Sequence, residues 1–335
     1  MIGPLWLLLT GPGCAHDRLQ RHEFTRVVMG VQARIVLYCQ DSARAEASAA
    51  ATFARLAEIE EQASDYRVDN EIATLAQRAG SGAWTEVGSD LHQLILFGQD
   101  ISKASSGAFD ITMGPLTRLW RGSRQSGQMP EAASVRRATS LVDWRKVEVQ
   151  GSHARLTHAG MALDFGGIAK GYAAQAAVET LTEYGVPISL VSIAGDVFAG
   201  DPPPGKAGWN VAIVSGQGTG QDHRTPDEFV LLSRAGCSTS GDVEQVIQNS
   251  GIRQSHIIDI RTGRGSDHRK SVTVLAPCGW QSDAIATVLY LLDDASGQKV
   301  IDAYPEARAI IYERVGDSVK RREIRSAAPR MSTMR

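Results

Sequence analysis

Between residues 43 and 62 the chain is rich in Ala and Glu, and Ala49, Phe53, Leu56 and Ile59 recur at helical spacing, which predicts an amphipathic helix. The same periodicity at Leu91, Leu94, Ile95 and Ile101 predicts a second helix over 89–103. A third is expected over 168–184, closed by Gly185. Residues 24–38 are dense in Val, Ile and aromatic side chains and broken by Gly30, so they read as a strand pair or as one bulged strand. A loop at 63–68 leads to a short helix that Asp69 or Asn70 would cap. Further short strand patterns fall at 146–149, 154–157, 161–165, 188–193, 209–214, 229–232, 256–260, 272–275 and 307–312. Ser282 reads as the cap of a strongly apolar helix over 283–292. The polar stretches 121–129 and 217–227 read as surface insertions. Strands and helices mix without strict βαβ alternation, which predicts an α+β fold, mixed sheets with packed helices, rather than a doubly wound one.

Composition narrows the function classes. At 335 residues the chain is long enough for a large core and for about two domains or one large mixed domain. Lys and Arg number 35 against 37 Asp and Glu, a net charge of −2, and only 6% of residues are aromatic. That balance argues against a nucleic-acid platform of basic and stacking side chains. The 33 glycines are the outlier and raise the question of whether they punctuate turns or build a site. The apolar run Leu5–Leu9 is far too short for a membrane span, which needs roughly 20 residues. It reads either as the core of a secretory signal, with Cys14 as a lipid acceptor, or as an inert leader; no basic residue precedes it. Cys39, Cys237 and Cys278 lack metal-ligand spacing and read as small apolar residues.

Five runs carry possible chemistry. In Asp164-Phe165-Gly166-Gly167-Ile168-Ala169-Lys170-Gly171, paired glycines between a predicted strand and helix let backbone approach an anion, with Lys170 adding charge. The run matches neither phosphate-loop fingerprint, and a tight turn with a solvated lysine fits it equally well. Asp283 and Thr287 are four apart on a predicted helix, so a carboxylate and a hydroxyl share a face, as a hard cation requires. A first-turn Asp beside a Thr that bonds back to a carbonyl fits the same spacing. Cys237-Ser238-Thr239-Ser240-Gly241-Asp242 clusters hydroxyls before a glycine but is no serine-nucleophile elbow. His256 begins an apolar stretch and is either a structural histidine or a general base. Gly107 to Pro115 is a glycine-hinged turn holding Phe109 and Asp110.

In this order the segments resemble the ApbE family, the FAD:protein FMN transferases. The resemblance runs over about 28–309 and rests on Met29-Gly30-Val31, on Ser64 to Asn70, on Gly-Ala-Phe-Asp-Ile-Thr from Gly107 with Pro115-Leu116, and on Asp164 to Tyr172. It continues through Ala194-Gly195-Asp196, Thr239 to Asp242, Ser255 to Gly263 and the Ala-rich helix around Asp283 to Thr287. Each piece is weak alone, whereas eight in register are specific.

The resemblance implies one catalytic domain at 23–325, between a leader at 1–22 and a disordered tail at 326–335. It implies transfer of FMN from FAD to a Thr or Ser hydroxyl of a target flavoprotein, with Mg²⁺ required and AMP released. It implies Asp283, Thr287 and the Gly167 carbonyl as metal ligands. Met29, Tyr66, Ala108, Phe109, Asp110, Asp164, Lys170 and Ile257 are implied FAD contacts. His256 and Asp283 are the expected catalytic residues, His256 assisting deprotonation of the incoming hydroxyl. A place in the bacterial envelope, on the periplasmic side of the inner membrane and tethered through Cys14, is expected by the same likeness, with a cytoplasmic location left open. FAD pyrophosphatase activity and flavin binding without turnover are the alternatives. Departures from the family pattern fall at Val31, Ala194, Gln175 and Ile260.

Overall fold

The computed structural model describes residues 19–216, 226–241, 246–249, 252–316 and 318–326, with side chains given for all but 246–249 and 252–254. Cys14, Asp242 and most of the 217–227 insertion lie outside the described residues. Eight helices are described: α1 (Ser42–Ala63), α2 (Glu71–Gln77), α3 (Ser89–Ala104), α4 (Gly114–Ser126), α5 (Ala132–Thr139), α6 (Ala169–Glu183), α7 (Gly279–Leu291) and α8 (Asp294–Ala303). No described helix is long and apolar enough to cross a membrane.

The centre of the fold is an eight-stranded sheet. Its order is Gln20–Val28, Val31–Cys39, Ser189–Ile193, Asp196–Ala199, Ala235–Gly241, Lys270–Ala276, Arg308–Val315 and Ser318–Arg325. Every neighbouring pair is antiparallel. The 24–38 region resolves as a strand pair, turning at Met29 and Gly30 with φ of 55° and 71°. Alternation along each strand divides the core. Ile35 and Leu37 face α1 and α6, whereas Val36 packs on the other face with Trp209, Val230 and Leu232. Likewise Ala309 and Ile311 join the cluster under α3 and α7, while Ile310 and Tyr312 face away. Helices therefore cover one face, and the hairpin Trp209–Ile213 with Glu228–Leu232 covers part of the other. This is the expected α+β class.

Four local expectations are corrected. Residues 121–126 are not loop: they complete α4, and Gly127 ends it with φ 69°. The Gly/Ser-rich composition hid an amphipathic face whose Leu116 and Trp120 are buried and whose Trp120 indole donates to Gly263 O at 2.7 Å. Residues 161–165 form no strand. They lie against the 111–114 segment, with Asp164 N donating to Ile111 O at 2.8 Å. Of 256–260 only Ile258–Asp259 is paired as strand. Ser282 does not cap α7, which begins at Gly279 after Cys278. Its hydroxyl is turned inward, 2.9 Å from Gly279 O and 3.0 Å from Ser238 Oγ. The α7 amide end is met from α6 instead, where Gln175 Oε1 accepts from Gly279 N at 2.8 Å. Gln175, one of the departures from the family pattern, thus has a structural task.

Helix α7 is held by close backbone approaches. A Cβ at Gly171 would lie 2.1 Å from Gly279 O and 2.7 Å from Asp283 Cβ, and one at Gly279 would lie 2.1 Å from Gly171 O. The buried Asp90 braces α6 from α3: it accepts from Arg55 Nη1 at 2.7 Å and from the Tyr172 hydroxyl at 2.6 Å. Because no side chain fits between α6 and α7, Gly171→Ala is expected to lower stability by about 3 kcal/mol, as overpacking does. Urea denaturation checks this; an unchanged midpoint would mean the helices separate freely.

Candidate functional site

The site begins where the 161–165 segment enters α6. The bond from Asp164 N to Ile111 O, and one from Gly114 N to Ala162 O at 3.2 Å, bring the turn at 107–114 alongside. Gly166 N donates to Asp164 Oδ1 at 2.7 Å, tightening the bend into the helix. Gly167 is wedged in place: a Cβ there would lie 3.0 Å from the Phe109 ring and 3.3 Å from Thr287 Oγ1. The glycine is thus what lets the backbone at 167 reach both Phe109 and α7.

On the first turn of α6, Lys170 meets two carboxylates. Its Nζ is 2.9 Å from Asp196 Oδ2, 3.6 Å from Asp283 Oδ2 and 3.5 Å from Gly166 O. Asp283 Oδ2 also accepts from Gly171 N at 3.0 Å, a bond that the glycine crossing of α6 and α7 makes possible. Asp283 is 3% exposed. Burial first, and then the Asp196 charge, push its carboxyl up to about 6 against the opposing pull of Lys170 and the Gly171 amide. The same two carboxylates hold the Lys170 ammonium well above the usual lysine range despite its burial. Thr287, a turn beyond Asp283, has Oγ1 3.2 Å from Ser240 Oγ.

A carboxylate, a hydroxyl and the backbone at Gly167 form an oxygen-donor set of the kind a hard divalent cation takes. The charge count fits as well, because two buried carboxylates share one ammonium and remain one positive charge short. Among the described residues no cluster of three or more His, Cys, Asp or Glu side chains suits a metal, so hydroxyl and carbonyl oxygens would have to complete such a set.

The other expected residues have unequal surroundings. Phe109 is buried against Gly167, and Ile257 shares its core cluster. Ala108 lies between the left-handed pair Ser106–Gly107 and Phe109, whose amide donates to Ser105 Oγ at 3.1 Å. Asp110 is buried with both carboxylate oxygens engaged, by Thr112 N at 2.8 Å, Thr112 Oγ1 at 2.6 Å and Trp144 N at 2.9 Å. Its side chain therefore anchors the Phe109 turn, and burial pushes its carboxyl up. Met29 donates its amide to Glu60 Oε2 at 2.7 Å and packs against both helix-side clusters. Tyr66 is 73% exposed, with the Arg121 guanidinium 3.8 Å from its ring centre. His256 is exposed on the bend before Ile258, and the Ile257 amide donates to Ser255 Oγ at 3.1 Å. The structure thus brings Gly167, Lys170, Asp283, Thr287 and Phe109 together directly, and leaves Tyr66 and His256 as exposed groups.

Three residues have contacts here to which the sequence assigns no site role. Asp196, the shorter ion pair of Lys170, follows a hairpin turn, and nothing local marks it as a partner of a helix 26 positions earlier. Asp65 and Arg121 form a half-buried pair at 2.8 Å, hidden because 121–126 read as loop. Burial and the nearby Asp164 charge raise the Asp65 carboxyl, while Arg121 opposes both.

The family model of the ApbE family matches residues 29–311. The chain belongs to the ApbE family. A protein of Treponema pallidum named FAD:protein FMN transferase is 30% identical over 328 residues, covering 92% of this chain and 90% of that one. One of Haemophilus influenzae with the same name is 28% identical, covering 74% and 73%. Among solved structures, the apo form of the Pseudomonas stutzeri flavinyl transferase ApbE superposes with a TM-score of 0.80 at 26% identity, covering 92% of this chain and 96% of its own. In this ApbE family chain, as in that structure, one α+β unit spans nearly the whole described length.

Breaking the pair beneath Tyr66 tests the rim. Arg121→Met strands the Asp65 charge and is expected to cost about 2 kcal/mol, whereas Arg121→Met with Asp65→Asn recovers part of that loss. Denaturation midpoints of the three proteins decide it; equal losses in the single and double variants would show that Asp65 does not need Arg121.

Proposed function

We propose that this chain transfers the FMN portion of FAD to a Thr or Ser hydroxyl of a target flavoprotein, forming a phosphoester and releasing AMP. The observation that carries this reading is the joint placement of Gly167, Lys170, Asp283 and Thr287 at the amino end of α6. Transfer of a phosphoryl-linked group asks a protein for positioning and charge compensation, and these residues offer both.

The positive end of α6 and the Lys170 ammonium face the anionic pyrophosphate, and Gly166 and Gly167 let it approach the backbone. Asp283, Thr287 and the Gly167 carbonyl are the groups that would hold Mg²⁺, which supplies neutralisation of charge on the pyrophosphate and on departing AMP. Tyr66, exposed and stacked on Arg121, offers an aromatic face to a flavin or adenine ring. Met29, Ala108, Phe109 and Ile257 would supply apolar contacts to FAD, with Asp164 holding the bend at Gly166 and Asp110 holding the Phe109 turn. The acceptor hydroxyl attacks the phosphorus that carries the flavin chain. As the new O–P bond forms, the bond to the AMP oxygen breaks and the hydroxyl proton passes to His256, which stands at the surface where a protein substrate can reach it.

Incubation with FAD, Mg²⁺ and a candidate target domain tests the reading, followed by measurement of covalent target flavin, free FMN and unchanged FAD. Covalent flavin is expected from the wild-type chain and a loss of at least about a hundredfold from Asp283→Ala, in keeping with removal of a transition-state charge stabiliser. His256→Ala is expected to slow transfer by about a hundredfold or more while FAD still binds. Free FMN in place of target flavin would support hydrolysis instead, and unchanged FAD would mean binding without turnover.

A further inference from the structure

Two carboxylates, Asp196 at 4% and Asp283 at 3% exposure, lie beside one ammonium. Lys170 Nζ is 2.9 Å from Asp196 Oδ2 but 3.6 Å from Asp283 Oδ2, so the shorter pair is made with the carboxylate outside the cation-ligand set. The two acids are fixed independently. Asp283 is pinned on α7 by the Gly171 amide. Asp196 opens the strand Asp196–Ala199 after a tight turn at Ala194 and Gly195, with φ of 49° and 92°, and stays in register with Ile193 across it. The lysine stem can swing between them; the two backbones cannot follow it.

We propose that Asp196 is a positioning residue that draws Lys170 off Asp283 and so keeps the Asp283 carboxylate open to a divalent cation. The proposal rests on the reading of Asp283 as a cation ligand. An ammonium and a divalent cation compete for the same oxygen, and in a buried setting an unshared carboxylate is costly, so a lysine without another partner closes on Asp283. With Asp196 beside it, the ammonium keeps a counter-charge while Asp283 is left to the cation. The trio alone carries one net negative charge, which disfavours a pyrophosphate; a divalent cation converts it to one net positive charge. Asp196 therefore serves the cation and the anionic substrate through Lys170, touching neither.

A double-mutant cycle read by Mn²⁺ binding, with free Mn²⁺ followed by electron paramagnetic resonance and no FAD present, tests this. Asp196→Asn is expected to weaken Mn²⁺ binding roughly tenfold in the wild-type background and less than about twofold in the Lys170→Gln background. Lys170→Gln alone is expected to bind at least as tightly as wild type, and Asp283→Ala to lose the tight site. Equal weakening by Asp196→Asn in both backgrounds would overturn the proposal, because Asp196 would then act through its own charge. Weaker binding by Lys170→Gln would overturn it too, and this arm stands even if Asp196→Asn fails to fold. Tight Mn²⁺ binding surviving in Asp283→Ala would remove the ligand reading and the proposal with it. Loss of target flavinylation with the Mn²⁺ cycle as expected would instead count against the transferase reading alone.

Discussion

The backbones of α6 and α7 meet at Gly171 and Gly279, where a Cβ on either residue would fall 2.1 Å from the carbonyl oxygen of the other. That contact decides what else the helices can do. It places the Asp283 carboxylate within a hydrogen bond of the Gly171 amide, and it sets Thr287, a turn later, against Gly167. The sheet presses α7 from its other side, since a Cβ at Gly236 would lie 2.7 Å from Ser282 Oγ and 2.9 Å from Gly279 Cα. Glycine at three positions therefore removes the side chains that would otherwise hold these layers at ordinary packing distance. What remains is a carboxylate-bearing helix seated on the first turn of another helix, with its polar face directed at the incoming glycine pair.

Electrostatics follows from that packing. Asp283 loses hydration when α7 docks, and its carboxyl rises to about 6 even with an ammonium nearby. A group so placed is stabilised by added positive charge more than a surface carboxylate would be. Lys170 supplies part of that charge, and Asp196 claims the nearer share of Lys170. In the proposed reading a divalent cation would make up the resulting shortage of one positive charge, and the positive end of α6 adds a fixed field of the same sign.

Much of this was legible from residue patterns, and the misses have physical reasons. The helical repeats of Phe53, Leu56 and Ile59, and of Leu91, Leu94 and Ile95, mark faces that are fully or nearly fully buried. The motif Asp164 to Gly171 and the four-residue spacing of Asp283 and Thr287 could be read because each sits within one short segment. Asp196 could not, since its meaning depends on a strand order that brings 196 beside 170 and 283. Arg121 was hidden because Ser and Gly at the end of α4 look like loop, while its buried Leu116 and Trp120 pack against the distant turn at Gly263. Ser282 was misread for the opposite reason: a good local cap signal lost to a helix that starts earlier, where Gln175 from α6 meets its first amide. Asp110 is an expected FAD contact, yet its carboxylate is spent on Thr112 and Trp144, so its influence on the site passes through the shape of the Phe109 turn.

In the proposed reading, the glycine crossing of α6 and α7 assembles a cation site from Asp283, Thr287 and the Gly167 carbonyl. Anomalous diffraction from crystals of the wild-type chain soaked in Mn²⁺ tests it most directly. A single strong peak within coordinating distance of all three groups, about 2.2 Å from each oxygen, is the predicted result. A peak ligated by other residues, or none in that position at saturating Mn²⁺, would contradict it.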